Sequence, residues 1–150
     1  MRAVIQRVSR ASVSIDNRIV SEIDTGILIL LGVEIKDTNK DSLWLSNKIA
    51  KLRIFSDSEG KMNNSILDIG AEVIVVSQFT LHAKTKKGNR PSYTNAAKSE
   101  QAVSLYTQFK KDLSKLISKE VLSGDFGADM KVSLINDGPV TIIIDTKNRQ

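Results

Sequence analysis

The chain has 150 residues, a length that fits one folded domain, and we expect a single domain over residues 1–150 in which residues 145–150 are a polar tail. Apolar residues make up 41% and charged residues 26%, which excludes disordered and collagen-like proteins, and the absence of cysteine excludes disulfides, thiolate metal sites and thiol nucleophiles. The net charge of +5 would favour binding to polyanions if the positive charges are clustered.

The first part of the chain is predicted to form strands. Apolar and polar residues alternate on both sides of the turn sequence Asp16-Asn17, so residues 1–23 predict a hairpin. The continuous apolar run Ile27–Val33 is typical of a strand that is covered on both faces. This run is too short to span a bilayer and the N-terminal segment lacks an export signal, so we expect a cytoplasmic protein without a membrane anchor.

A helix is predicted next. Thr38 or Asp41 is a suitable N-cap for a helix whose apolar residues recur at spacings of four and three and which ends near Arg53. A short strand that ends at Phe55 follows. The turn formers and negative charges of Ser56–Gly60 then indicate an exposed loop.

The second half of the chain adds strands and another helix. The β-branched run Ala71–Phe79 predicts a buried strand, and Ser99 begins a helix with a continuous apolar stripe. Strands are predicted at Met130–Ile135 and Val140–Ile144, with an interruption at Asn136–Pro139. The whole pattern predicts a compact α+β domain with a mainly antiparallel, barrel-like sheet and two main helices.

Candidate site residues follow the Ala71–Phe79 strand. Ser77, Gln78 and Thr80 are polar, but an alcohol without a positioned base is a weak nucleophile, and Phe79 is expected in the core. His82 is the only histidine, and in an extended segment it would share a face with Thr80. We favour a polar strand-end or loop histidine over a catalytic base, and one histidine without cysteine predicts no metal site.

Gly138-Pro139 lies between two strongly β-forming runs. Proline removes a donor from a sheet ladder, so a local feature must require the break. One interpretation is a hairpin turn, and the other is a rigid element whose backbone carbonyls point at a ligand. From the residues alone the hairpin is favoured.

The segment Thr80–Ser99 contains no acidic residue. It is interpreted either as a solvated loop or as a phosphate-binding loop, and its position after the polar strand end adds weight to the second interpretation. No P-loop or Gly-x-Gly-x-x-Gly pattern is present, so no cofactor is expected. The four cations considered for nucleic-acid binding are Lys84, Lys86, Lys87 and Arg90.

Several segments together resemble the D-aminoacyl-tRNA deacylase family. The resemblance runs from Met1 to about Ile144 in the family's order and spacing. It implies a compact, β-barrel-like α+β fold, a homodimer and no cofactor. The segments that carry it are Ile5–Val13, Arg53–Asp57, Gly60–Asn63, Ser77–Leu81, Gly88–Ser92 and Val132–Thr141.

The resemblance also implies an activity, namely hydrolysis of the ester that joins a D-amino acid, or glycine, to the terminal adenosine of tRNA. Ser77–Thr80 would form the pocket floor, while the neighbouring ribose 2′-hydroxyl assists attack by water. Gly138-Pro139, which is cis in the family, would enter the pocket of the other subunit and exclude L-amino acids. Further residues that match positions at this pocket are Asn136, Met130, Phe126 and Ala102.

Two alternatives remain open from the sequence. A related deacylase branch with a trans Gly-Pro and a wider pocket acts on certain L-aminoacyl-tRNAs. A non-catalytic tRNA-binding module would use the same positive charge. However, aromatic residues, on which such modules stack bases, make up only 5% of the chain.

Overall fold

A long antiparallel pair of strands runs through the fold. In the computed structural model, which describes residues 1–149, β1 (Arg2–Ile15) pairs with β8 (Lys131–Asp145) along most of its length. The other edge of β1 pairs with β3 (Gly26–Gly32) in its first half and with β2 (Arg18–Ile23) in its second half. The predicted β1–β2 hairpin is therefore confirmed.

The centre of the sheet is parallel. The strand β6 (Glu72–Ser77) runs parallel to β3, and the short β7 (Leu122–Ser123) runs parallel to β6. Alternate residues of β3 and β6 contribute to two separate hydrophobic clusters. One cluster includes residues of the helices, and the other includes residues of β1, β2 and β8. The sheet is thus barrel-like and filled on both faces of its central strands, which confirms the predicted α+β class.

Two main helices cover one side of the sheet, as predicted. α1 (Asn39–Ala50) begins after Thr38, whose backbone N–H and hydroxyl both donate to the Asp41 carboxylate, and it ends three residues before Arg53. The long α3 is Ser99–Ile117, and its apolar stripe is buried against α1 and the sheet.

Three short elements lie between α1 and β6. β4 (Phe55–Ser56) pairs with β5 (Met62–Asn64), and α2 (Ile66–Ile69) is a single helical turn that the sequence analysis missed. Its N-cap, Ser65, donates to the carboxylate of Asp68 at 2.7 Å. Within residues 1–149, no helix has the length and apolar character needed to cross a membrane.

The predicted hairpin at Asn136–Pro139 is wrong, because β8 is one strand with a bulge. Residues 137–140, named here the Gly-Pro bulge, lie opposite the single residue Arg7 of β1. The Arg7 guanidinium donates to the carbonyl oxygens of Asp137 at 3.1 Å and Ile54 at 2.6 Å, so it holds the bulge against the sheet. The local sequence favoured a turn here, but the contact with Arg7, which is distant in sequence, keeps the segment in the sheet.

The predicted polar tail is partly packed on the domain. Thr146 is buried, and the Lys147 ammonium lies 2.8 Å from the Asp41 carboxylate of α1. The last residue of that segment, Gln150, lies outside the described residues.

Candidate functional site

A cavity of about 600 Å³ opens at the carboxyl ends of β3 and β6. Because these neighbouring strands are parallel, both end at the same edge of the sheet, and the polar residues after β6 lie there. The start of α3 and the segment before β8 form the other walls. The lining residues are Leu31, Val33, 76–79, 96–99, Ala102, 126–130 and Val132.

The floor of the cavity is built by the residues that end β6. The backbone N–H of Gln78 donates to the Leu31 carbonyl at 2.8 Å, and the chain then turns into a short 3-10 helix, Phe79–His82. The Gln78 side-chain amide donates to the Thr80 hydroxyl. Ser77, Gln78 and Phe79 line the cavity. Thr80 is not a lining residue, but its hydrogen bond with Gln78 connects it to the cavity floor.

Phe79 is not a core residue, contrary to the prediction. Its side chain is 56% exposed, and its ring packs edge-on against Tyr93 at 4.9 Å between centroids. The predicted strand ended two residues too late, because the chain leaves the sheet at Gln78. Phe79 therefore forms an apolar rim at the cavity mouth.

His82 is buried behind the cavity and is not among its lining residues. Its Nδ1 lies 3.8 Å from a Glu34 carboxylate oxygen, and its Nε2 has no hydrogen-bond partner among residues 1–149. Because residues 79–82 form a 3-10 helix, the extended segment in which His82 and Thr80 would share a face does not exist. The expected strand-end or loop position of His82 is also wrong.

The structure brings Ala102, Phe126 and Met130 together at the cavity, although they are distant in sequence. Tyr106, a buried residue of α3, supports this wall. Its hydroxyl donates to the Val75 carbonyl at 2.7 Å, and its ring contacts Phe126 at 5.6 Å between centroids. Burial raises the pKa of Tyr106 to about 12, so it is a neutral donor.

The Gly-Pro bulge does not reach the cavity of its own chain. Val132 lines that cavity, and Asn136 is four residues further along β8, which corresponds to roughly 13 Å of strand. Gly138 and Pro139 are exposed, and the peptide bond between them is cis. The Asn136 side chain accepts from Val140 N at 3.2 Å and donates to the Thr141 hydroxyl at 3.0 Å, which closes the bulge.

The cations after the 3-10 helix lie on one exposed loop. Backbone hydrogen bonds in both directions between Lys84 and Ser92 close this loop, and all four predicted cations within it are exposed. Within residues 1–149, none of the four forms a salt bridge. We name residues 84–90 the basic loop. It follows the cavity floor directly.

The sequence profile of the D-Tyr-tRNA(Tyr) deacylase family matches residues 4–145. This chain belongs to that family. A D-aminoacyl-tRNA deacylase of Bacteroides thetaiotaomicron is 59% identical over 150 residues and covers 100% of both chains.

Two solved structures share the fold. One, described as the c-Myc DNA Unwinding Element Binding Protein, is 42% identical with a TM-score of 0.90 and covers 97% of this chain and 98% of its own. The other, described as a probable eukaryotic D-amino acid tRNA deacylase, is 16% identical with a TM-score of 0.80 and covers 95% of this chain and 97% of its own. At that identity the second structure supports the fold alone.

Proposed function

We propose that this protein is an editing hydrolase that cleaves the ester of D-aminoacyl-tRNA and of glycyl-tRNA(Ala), releasing free tRNA and the amino acid. The observation that carries the proposal is the family match across residues 4–145, together with the strand-end cavity that this match includes. An aminoacyl-tRNA substrate would be consistent with a cytoplasmic enzyme, and this location is part of the proposal.

Orientation and carbonyl polarisation supply the catalysis. The first amides of a 3-10 helix have no acceptor within the helix, so that of Phe79, which lines the cavity, is suited to polarise the ester carbonyl. Thr80 has an amide, not a base, as its hydrogen-bond partner, so it orients Gln78 and does not attack. The ribose 2′-hydroxyl next to the ester assists the attacking water, since an activated ester needs only a modest gain from positioning.

Chirality is read by exclusion in a homodimer. The Gly-Pro bulge of one protomer enters the cavity of its partner, where its carbonyls hold the substrate ammonium and its main chain leaves no room for an L side chain. Its exposure, and its separation from its own cavity, support this role. Exclusion by shape explains why glycine is accepted, because its side chain is a hydrogen atom.

The exposed surface of β8 supports the proposed dimer. Ile135 and Ile143 flank the Gly-Pro bulge and are 60% and 70% exposed. Large exposed apolar side chains on both sides of the bulge favour contact with another protein surface that receives the bulge. The dimer would cover them and carry each bulge to the other protomer.

The acceptor end of the tRNA would lie between the cavity and the basic loop. Lysine and arginine side chains there would contact phosphates and displace counterions. The wall residues Ala102, Phe126 and Met130 would surround the amino acid.

Multiple-turnover deacylation tests the proposal. Purified protein at a small fraction of the substrate concentration should release many equivalents of D-tyrosine from D-tyrosyl-tRNA, and of glycine from glycyl-tRNA(Ala). Release that stops at one equivalent per protomer, or tRNA binding without release, would support the non-catalytic alternative.

A further inference from the structure

A second concave surface lies at the end of α1, away from the cavity. It has a volume of about 340 Å³ and shares no lining residue with the cavity. We name it the α1 basic concavity, and its lining residues are Trp44, Asn47, Lys48, Lys51, Leu52 and Arg53.

The positive charge of this surface is not neutralised by α1 itself. Lys48 and Lys51 are exposed, and within residues 1–149 neither forms a salt bridge. The only acidic residue of α1 is Asp41, which is buried and bound by Lys147. Adjacent unpaired cations produce a positive potential that an anion would relieve.

Two guanidinium groups at the concavity are held in fixed positions. Arg149 lies over the Trp44 ring at 4.1 Å from its centroid and donates to the Thr146 carbonyl at 3.1 Å. Arg53 donates to the carbonyl and side-chain oxygens of Asn63 at 2.7 and 2.8 Å. Each guanidinium has five N–H donors, so donors remain for an anion, and little side-chain entropy is lost when it binds.

The concavity is linked to the Gly-Pro bulge of the same chain. Arg7 bonds at once to the carbonyl of Ile54, which follows Arg53, and to the carbonyl of Asp137 in the bulge. In the proposed dimer that bulge enters the other protomer's cavity. The α1 basic concavity would then lie beside the mouth of the partner's cavity, not beside its own.

We propose that the α1 basic concavity binds phosphates of the tRNA whose 3′ end lies in the partner protomer's cavity. This inference rests on the proposed function for its substrate and dimer. Each tRNA would then contact the basic loop of one protomer and α1 of the other. A polyphosphate backbone is the ligand that fits, because the surface offers several separated cations and has no acidic residue among its lining residues.

Trp44 is the only tryptophan of the chain, so its fluorescence reports directly on the concavity. Uncharged tRNA should change Trp44 emission after the signal is corrected for light absorbed by the tRNA, with free tryptophan as the reference. In the variant Lys48→Gln/Lys51→Gln, each lysine–phosphate contact that is lost should raise the Kd for tRNA by about 5–8-fold near 0.1 M salt. Each lost contact should also lower the slope of log Kd against log salt concentration by roughly 0.7–0.9.

The matched control is Lys111→Gln/Lys115→Gln, which removes the same charge from two exposed lysines of α3. It should leave the Kd and the salt slope near those of the wild type. Equal effects of both pairs, or tRNA binding that leaves Trp44 emission unchanged, would overturn the inference. Because uncharged tRNA is used, this result does not depend on whether the protein hydrolyses the ester.

Mixed dimers test the assignment to the partner's cavity. Ser99→Trp, at the exposed edge of the cavity, is first shown to abolish deacylation in the homodimer. A protomer with that block and Lys48→Gln/Lys51→Gln is then combined with a wild-type protomer. The KM for D-aminoacyl-tRNA should rise in this dimer, and remain normal when the lysine changes are on the unblocked protomer. The reverse pattern would show that the concavity serves its own cavity and would contradict the proposal.

Discussion

Gly138→Ala tests the role of the Gly-Pro bulge. Gly138 has φ +118°, a conformation that L side chains rarely adopt, and a Cβ atom there would lie 2.6 Å from Nη2 of Arg7. The Arg7 side chain would have to move, which would disturb its hydrogen bonds to Asp137 and Ile54. The substitution should therefore loosen the bulge from the sheet.

The expected loss of stability is the sum of two effects. Unfavourable backbone geometry costs about 1–3 kcal/mol. Loss of one hydrogen bond from a charged donor costs about 1.5–3 kcal/mol. Together these lower the free energy of unfolding by roughly 2.5–6 kcal/mol, which lowers Tm by about 2–4 °C for each kcal/mol in a domain of this size.

Gly60→Ala is the matched control, because Gly60 also has a positive φ, +80°, but a Cβ atom there would meet nothing within 4 Å among residues 1–149 beyond its own chain neighbours. It should lose only about 1–2 kcal/mol from backbone strain. Thermal unfolding and deacylation of D-tyrosyl-tRNA are measured for both variants. Gly138→Ala should lose more activity and more stability than Gly60→Ala. Equal losses in the two variants would refute the reasoning about Arg7 and the bulge.

Three further predictions concern the cavity floor, the basic loop and the α1 N-terminus. Thr80→Ala should keep kcat/KM within about tenfold, because it loses one neutral hydrogen bond with Gln78; complete loss in a folded variant would restore the nucleophile interpretation. Changing the three lysines of the basic loop to Gln should flatten the salt dependence of tRNA binding relative to the α3 control pair, and an unchanged slope would indicate a solvated loop. Burial opposes ionisation of Asp41, but hydrogen bonds from Lys147 and Thr38 hold its pKa well below the usual range. The free energy of unfolding should therefore fall as pH drops below about 4, and less steeply in Asp41→Asn; identical pH profiles would contradict this assignment.

Much of the sheet could be predicted because its residues have strong local preferences. The β-branched run before Ser77 forms β6, and Asp16-Asn17 adopts the positive φ angles of a tight hairpin. The end of β6 could not be predicted, because it depends on a hydrogen bond between Gln78 and the distant Leu31. For the same reason the expectation that Phe79 lies in the core is wrong, and this residue is exposed at the cavity rim.

The shape of β8 depends even more on distant contacts. Asn136–Pro139 has the composition of a turn, but Arg7 on another strand binds the Asp137 carbonyl and keeps the chain in the sheet. α2 did carry a local signal, the capping pair Ser65 and Asp68, but one turn is too short for a hydrophobic period. The strand-end polar residues and the four cations could be found from the sequence pattern, but their roles came from the family resemblance, since no single residue among them has distinctive chemistry.

The ratio of kcat/KM for D-tyrosyl-tRNA and L-tyrosyl-tRNA tests the central claim most directly. Both esters have the same reactivity and the same tRNA, so only the fit of the amino acid in the cavity differs. The account predicts rapid release of D-tyrosine while L-tyrosyl-tRNA stays intact. Equal turnover of the two enantiomers would contradict it.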